Sequence, residues 1–128
     1  MNSLLGLRVL VVEDEVVVAL LIEDMLARLG CDVVASAARL RSAFDIASRT
    51  DFDFAVLDVN LQGEQSFPFA RSLQERGVPF IFSTGYGAAG IPPDLADRAI
   101  VAKPFAITEL ERAIAATMER PDPSIGAP

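Results

Sequence analysis

Four short apolar runs in this chain each end at a residue that carries a carboxylate, a hydroxyl or an amine, and helix-patterned stretches separate them. Leu7-Arg8-Val9-Leu10-Val11-Val12 is followed by Glu13 and Asp14, and Phe54-Ala55-Val56-Leu57 by Asp58. Phe80-Ile81-Phe82-Ser83 leads to Thr84, and Ala99-Ile100-Val101-Ala102 to Lys103 and Pro104. Near-continuous apolar runs of this length suit strands buried on both faces, as in a parallel sheet covered by helices. All strand C-termini of such a sheet lie on one edge, and ligands bind outside that edge. Residues scattered along the chain therefore converge on one spot. Three acids meeting there repel one another, and a hard divalent cation, Mg²⁺ first, relieves the repulsion.

Between the runs, apolar residues return at helical spacing. Val18, Leu21, Ile22, Met25 and Leu29 mark a helix from about Val16 to Leu29, with Gly30 as a left-handed stop. A short second strand spans Val33–Ala35, and Ser36 offers an N-cap for a helix through Leu40, Phe44 and Ala47. The third strand runs from Asp53 to Leu57. Glu64–Arg76 reads as the third helix, with Phe67, Ala70 and Leu73 on one face, Pro68 in its first turn and Gly77 as its stop. Thr108 and Glu111 form a capping-box pattern for the last helix, whose Leu110, Ile114 and Met118 face inward. The aromatic residues Phe67, Phe69, Phe80 and Phe82 read as core. One unit departs from the alternation. Gly85 to Pro92 is rich in Gly and Pro, and only Pro93–Asp97 can form a helical turn or two. The fourth helix is therefore expected to be short, displaced or mobile.

Five strands alternating with helices predict an α/β three-layer sandwich around a parallel sheet. At 128 residues the chain is one domain, expected over 1–120, with a disordered tail at 121–128 and no output domain after it. Charge interrupts every apolar stretch, so no membrane span is expected, and the N-terminus lacks an export pattern. Cys31 is alone, which fits a small buried residue in a reducing cytoplasm. The absence of His excludes imidazole metal sites and Ser-His-Asp catalysis within the chain, and a net charge of −7 disfavours nucleic-acid binding.

With these residues in view, the chain resembles a bacterial response-regulator receiver domain over its whole length except the tail. Glu13-Asp14 sits where the metal-binding acids of that family sit. Asp58, within Leu57-Asp58-Val59-Asn60-Leu61-Gln62-Gly63, matches the phosphoacceptor segment, Thr84 the hydroxyl residue, and Lys103-Pro104-Phe105 the family's Lys-Pro-Phe. Any one of these alone is ordinary: a helix start, a turn, a solvated loop. Their joint order on four strands makes the likeness specific. Pro79-Phe80-Ile81-Phe82-Ser83-Thr84-Gly85-Tyr86 is also similar to the signature of the FATGUY receivers, with Ser83 where Ala is usual. The resemblance implies a CheY-like, flavodoxin-like five-stranded sheet of order 2-1-3-4-5. It also implies a stand-alone response regulator of a two-component or phosphorelay system, a monomer or weak homodimer. Its partner would be a histidine kinase of the HWE or HisKA2 type, or a histidine phosphotransfer protein. Such a protein is a phosphoacceptor module with self-catalysed phosphoryl transfer and self-hydrolysis only.

The chemistry such a site needs is charge neutralisation more than acid–base work, because a carboxylate and a phosphoryl group are both anionic. Asp14 and Asp58 would hold Mg²⁺ directly, with the main-chain carbonyl of Asn60 as a third ligand. Glu13 stands where the family usually has Asp; it would act through a bound water, or its extra length would reach the metal itself. Lys103 would pair with Asp58 and then with a phosphoryl oxygen, and Thr84 would hydrogen-bond another. The output is then a surface that changes on phosphorylation, a relay step, or a phosphate sink. A phosphatase of the haloacid dehalogenase type fits poorly, since its nucleophile ends the first strand and Asp58 ends the third. A flavodoxin-like nucleotide binder fits poorly too, because Ser83-Thr84-Gly85-Tyr86-Gly87 follows the fourth strand and not the first.

Tyr86, the only tyrosine, lies two residues beyond Thr84, while Ile100 occupies the fifth-strand place where receivers commonly carry an aromatic switch residue. Tyr86 is thus a switch candidate whose ring would shield an acyl phosphate from water; the alternative is a loop aromatic resting on the surface. Shielding predicts that Tyr86→Ala shortens the phosphoryl lifetime and leaves Mg²⁺ affinity nearly unchanged. Equal lifetimes in the two proteins would assign Tyr86 to the surface.

Overall fold

A computed structural model describes residues 4–85 and 90–119. Five parallel strands form the central sheet: β1 (Arg8–Val12), β2 (Asp32–Ala37), β3 (Phe54–Asp58), β6 (Phe80–Thr84) and β7 (Ile100–Ala102). Their spatial order is β2-β1-β3-β6-β7, which is second, first, third, fourth and fifth when only central strands are counted. Four helices cover the sheet: α1 (Val16–Arg28), α2 (Leu40–Arg49), α3 (Phe67–Arg76) and α4 (Ile107–Glu119). Between β3 and α3 a two-stranded ribbon intervenes, β4 (Asn60–Leu61) with β5 (Glu64–Gln65). The expected three-layer sandwich and strand order are both present.

Side-chain alternation along the strands builds two cores. Leu10, Val12, Ala55, Leu57, Phe80 and Phe82 face α2 and α3, where Ala43, Phe69 and Leu73 meet them. Val9, Val11, Phe54, Val56, Ile81 and Val101 face α1 and α4, against Ile22, Leu26, Leu110 and Ile114. The four phenylalanines 67, 69, 80 and 82 are buried, and Phe67–Phe82 and Phe80–Phe82 pack edge to face at 6.0 and 5.5 Å.

Several local expectations fail for identifiable reasons. Ser36 caps nothing: it stays in β2, paired beside Val11, and α2 begins at Leu40 after Arg39 with no side-chain cap. Glu64 and Gln65 belong to the ribbon, not to α3, which begins at Phe67. The turn joining β4 to β5 puts Gln62 at φ 52° and Gly63 at φ 89°, the two successive left-handed residues that a tight hairpin wants. On α4 the cap comes two residues earlier than Thr108 and Glu111 suggest: Glu109 accepts the Ala106 N–H at 3.0 Å, and Met118 points outward. Along α1 the buried face is Ala19, Ile22, Leu26 and Leu29, with Val18 and Met25 partly buried; Leu21 is 54% exposed. That helix is apolar nearly all round, so its sequence contains two overlapping stripes at helical spacing, and only packing selects one.

The fourth unit is short, as its composition suggests. Among its described residues the one helical element is a 3₁₀ turn, Pro93–Leu95, and Leu95 is buried in the α2/α3-side core. Arg71 on α3 grips Asp94 with two bonds of 2.9 and 3.3 Å. Arg98 donates to Gln74 at 2.8 Å and lies 4.4 Å over the Phe80 ring. The switch candidate Tyr86, with the rest of 86–89 in the Gly- and Pro-rich segment, and the tail at 121–128 lie outside the described residues.

The α1 register makes a direct test. Leu26→Ala should cost about 2–5 kcal/mol, as for a fully buried leucine, whereas Leu21→Ala should stay within about 0.5 kcal/mol. Urea unfolding of both variants reads the difference.

Candidate functional site

The C-terminal ends of β1, β3, β6 and β7 deliver Glu13, Asp14, Asp58, Thr84 and Lys103 to one edge of the sheet, because the strands are parallel and in register. Val12 pairs with Leu57, Asp58 with Ser83, and Thr84 with Ala102, so the four chain ends stand level. Backbone bonds extend the ladder past the strands: Glu13 N–H reaches Ala37 O at 2.9 Å, and Lys103 N–H reaches Thr84 O at 2.9 Å. The Lys103–Pro104 peptide bond is cis.

Lys103, the chain's only lysine, is the hub of the site. Its Nζ lies 2.6 Å from Glu13 Oε1 and 3.2 Å from Asp58 Oδ2. The expected pairing with Asp58 is present, and a tighter one with Glu13 accompanies it. The Glu13 side chain is only 1% exposed, and its second oxygen accepts the Glu15 N–H at 3.1 Å. Asp58 Oδ1 accepts the Asn60 N–H at 3.4 Å, and Asn60 Oδ1 accepts the Gly63 N–H at 2.8 Å. A cleft of about 780 Å³ opens above these groups, with Asp14, Asp58, Asn60, Thr84, Gly85 and Lys103 in its wall. Glu13 does not line it. The ribbon supplies the opposite wall through Gln62, Gly63 and Gln65, and the Gln62 N–H donates to Asp14 Oδ2 at 3.1 Å. Sequence reasoning missed Gln62; the Gln-Gly pair three residues before Ser66 is the hairpin signal that marks it.

Three carboxylates face one ammonium, so the site has a net negative charge. Burial first, then the neighbouring Glu13 charge, pushes the Asp58 carboxyl from an ordinary 3.8 up to about 7 against the pull of Lys103. Burial alone would lower Lys103, but its bond to Glu13 and the charges of Asp58 and Glu13 outweigh that and raise it. One oxygen from each of Glu13, Asp14 and Asp58 lies within 4.8 Å of the others. All are hard oxygen donors, and the excess negative charge is what a small divalent cation neutralises, so the residues present fit Mg²⁺.

The description of the response regulator receiver domain matches residues 9–115. The chain belongs to the response regulator receiver domain family. Among solved structures this receiver is similar to SdrG from Sphingomonas melonis Fr1, with 35% identity, a TM-score of 0.80, and coverage of 91% of this chain and 98% of that one. A BeF₃-activated conformation of SdrG, from Pseudomonas melonis Fr1, matches at 33% identity and TM-score 0.76, covering 91% and 98%. The receiver domain of the sensor histidine kinase PA1611 from Pseudomonas aeruginosa PAO1 matches at 29% identity and TM-score 0.77, covering 90% and 99%; it has a magnesium ion coordinated in its active-site cleft. No curated protein matches the chain. Among the described residues no helix is long and apolar enough to cross a membrane.

The shifted Asp58 carboxyl has a consequence for stability. Between about pH 4 and 7 the folded chain holds a proton that the unfolded chain has released, so stability falls as pH rises through that window. Asp58→Asn should therefore raise the melting temperature of the metal-free protein, by several degrees at pH 8 and little at pH 4. Mg²⁺ should stabilise the wild type more at pH 8 than at pH 5, and calorimetry at the two values checks both.

Proposed function

We propose that this receiver accepts a phosphoryl group on Asp58 from a histidine kinase or a histidine phosphotransfer protein, with Mg²⁺ bound at the cleft. The observation that carries the reading is Lys103 Nζ held between Glu13 and Asp58 at the floor of an open, acid-lined cleft. The magnesium ion in the PA1611 receiver and the BeF₃-activated form of SdrG support the metal and the acceptor role by likeness.

Asp14, Asp58 and the Asn60 main-chain carbonyl would hold the metal, and Glu13 would act on it through water while anchoring Lys103. Bound there, the ion supplies charge neutralisation for two anions that must meet. In the transfer, an Asp58 oxygen forms the new bond to phosphorus as the donor's P–N bond breaks. The electron pair leaves with the imidazole nitrogen, which takes up a proton. Lys103 moves onto a phosphoryl oxygen, and the Thr84 hydroxyl donates to a second one. Gly85 leaves the approach open, with nothing within 4 Å of where a Cβ would stand. Phosphoryl groups then leave by hydrolysis or by return to a histidine, so the domain acts as a signalling module and not as an enzyme with turnover.

The outer face of α1 is the partner surface this reading favours. Val16, Val17, Leu20 and Leu21 are exposed there, and a groove of about 290 Å³ beside them is lined by Val18, Ile22, Met25 and Phe105. The Lys103 side chain forms part of that groove, which links the partner face to the site. Among the described residues the fourth unit holds only a 3₁₀ turn where many receivers bind through a helix, which supports α1 as the alternative. The Phe80–Thr84 strand and Gly85 support membership of the FATGUY subgroup, and with it an HWE or HisKA2 kinase. A single domain over 1–120, working in the cytoplasm as a monomer or weak homodimer, completes the proposal; the lone buried Cys31 supports the compartment.

Acetyl phosphate with Mg²⁺ tests it. The wild type should gain one phosphoryl group, removed by hydroxylamine, and Asp58→Asn none. Asp14→Asn should lose Mg²⁺ binding and with it nearly all the adduct, and Lys103→Ala should keep Mg²⁺ binding with little transfer. Steady phosphate release without an adduct would make the protein a phosphatase, and neither result would make it a simple binder.

A further inference from the structure

Strand β6 lies between β3 and β7, so a lysine rooted past the end of β7 must cross β6 to reach carboxylates on β3 and β1. The β6 residue at that level is Ser83. It pairs with Asp58 on one side and Val101 on the other. Alternation places it on the face of Ile81, Val56 and Val101, beneath α1 and α4, which is also the face of Asp58. Ser83 is 0% exposed, and its Oγ has no hydrogen-bond partner among the described residues. An unpaired buried hydroxyl costs stability that alanine would not, so this one needs a physical account.

An ammonium has three N–H donors, and here its two ion-pair partners are Glu13 at 2.6 Å and Asp58 at 3.2 Å. We propose that Ser83 is a positioning residue for Lys103, its Oγ accepting the third N–H when the lysine moves from Glu13 onto a phosphoryl oxygen carried by Asp58. The inference rests on the phosphoacceptor reading and adds a residue to it. Once Asp58 carries a phosphoryl group, the negative charge sits on phosphoryl oxygens in the cleft and no longer on the carboxylate. The ammonium must follow that charge, and an acceptor on the strand in between keeps it satisfied and aimed. A rotation about one side-chain bond turns the serine hydroxyl toward it. Size matters as well, because a side chain much larger than serine would stand in the lysine's path.

Because Lys103 is the only lysine, ¹⁵N-lysine labelling gives one side-chain ammonium signal to follow. Spectra of wild type and Ser83→Ala are compared with Mg²⁺ alone and with Mg²⁺ and beryllium fluoride, alongside phosphorylation rates with acetyl phosphate. The two proteins should look alike with Mg²⁺ alone. With beryllium fluoride the wild-type signal should shift and stay sharp, whereas that of Ser83→Ala broadens through solvent exchange, and its phosphorylation slows roughly tenfold, the scale of one hydrogen bond to a charged group. Ser83→Thr should keep the wild-type behaviour and the equal-sized Ser83→Val should lose it. A Ser83→Ala protein with the wild-type signal and rate overturns the proposal, as does equal behaviour of Thr and Val. Failure of the wild type itself to bind beryllium fluoride would instead overturn the phosphoacceptor reading.

Discussion

The arrangement of this receiver depends on one contact, the Lys103 ammonium set between Glu13 and Asp58. It ties together the C-terminal ends of β1, β3 and β7 across the intervening β6. Its inner end is shielded from water while the cleft stays open above it: the Glu13 side chain is nearly sealed, and Asp58 is buried enough for its carboxyl to rise to about 7. Removing water raises the energy of each unpaired charge and strengthens each pairing. The same sealing leaves three acids sharing one cation, a state that a divalent metal or a change of charge at Asp58 would redistribute. Any redistribution acts on Lys103, and through it on β7 and on the groove beside α1.

The two departures from a regular alternating fold both frame this contact. The ribbon β4–β5 turns back over the cleft and fixes Asp14 through the Gln62 N–H, so a backbone group already occupies one lobe of a prospective metal ligand. On the other side, the fourth unit holds only a 3₁₀ turn among its described residues. Its anchors are unequal in weight. The Arg71–Asp94 pair is exposed and contributes little, whereas Leu95 is buried in the core and Arg98 lies flat on Phe80. Apolar anchoring, more than the ion pair, keeps this stretch on the sheet.

Much of the architecture was legible from the chain because each strand is a near-pure apolar run and each polar site residue falls just past one. Glu13, Asp14, Asp58, Asn60, Thr84 and Lys103 all come to the expected edge. The failures are of one kind. Ser36, Glu64 and Thr108 mark helix starts by local signals alone, Ser36 and Thr108 by capping chemistry and Glu64 by the pattern after it, and in each case pairing or packing won: Ser36 extends β2, Glu64 pairs with Leu61, and Glu109 caps from two residues earlier. Leu21 and Leu26 exchanged roles because a helix apolar on most sides carries no record of which stripe faces inward.

Local sequence determined which segments are strands and helices, the direction in which the polar residues project, and the class of chemistry they can support, since these follow from side-chain periodicity and functional groups alone. Only the tertiary structure decided that Lys103 sits closer to Glu13 than to Asp58, that Glu13 lies behind the cleft wall, and that the Ser83 hydroxyl is buried with no hydrogen-bond partner among the described residues. Those are matters of distance between strands that never touch in sequence. They are settled by the register of the sheet and by the packing around its edge.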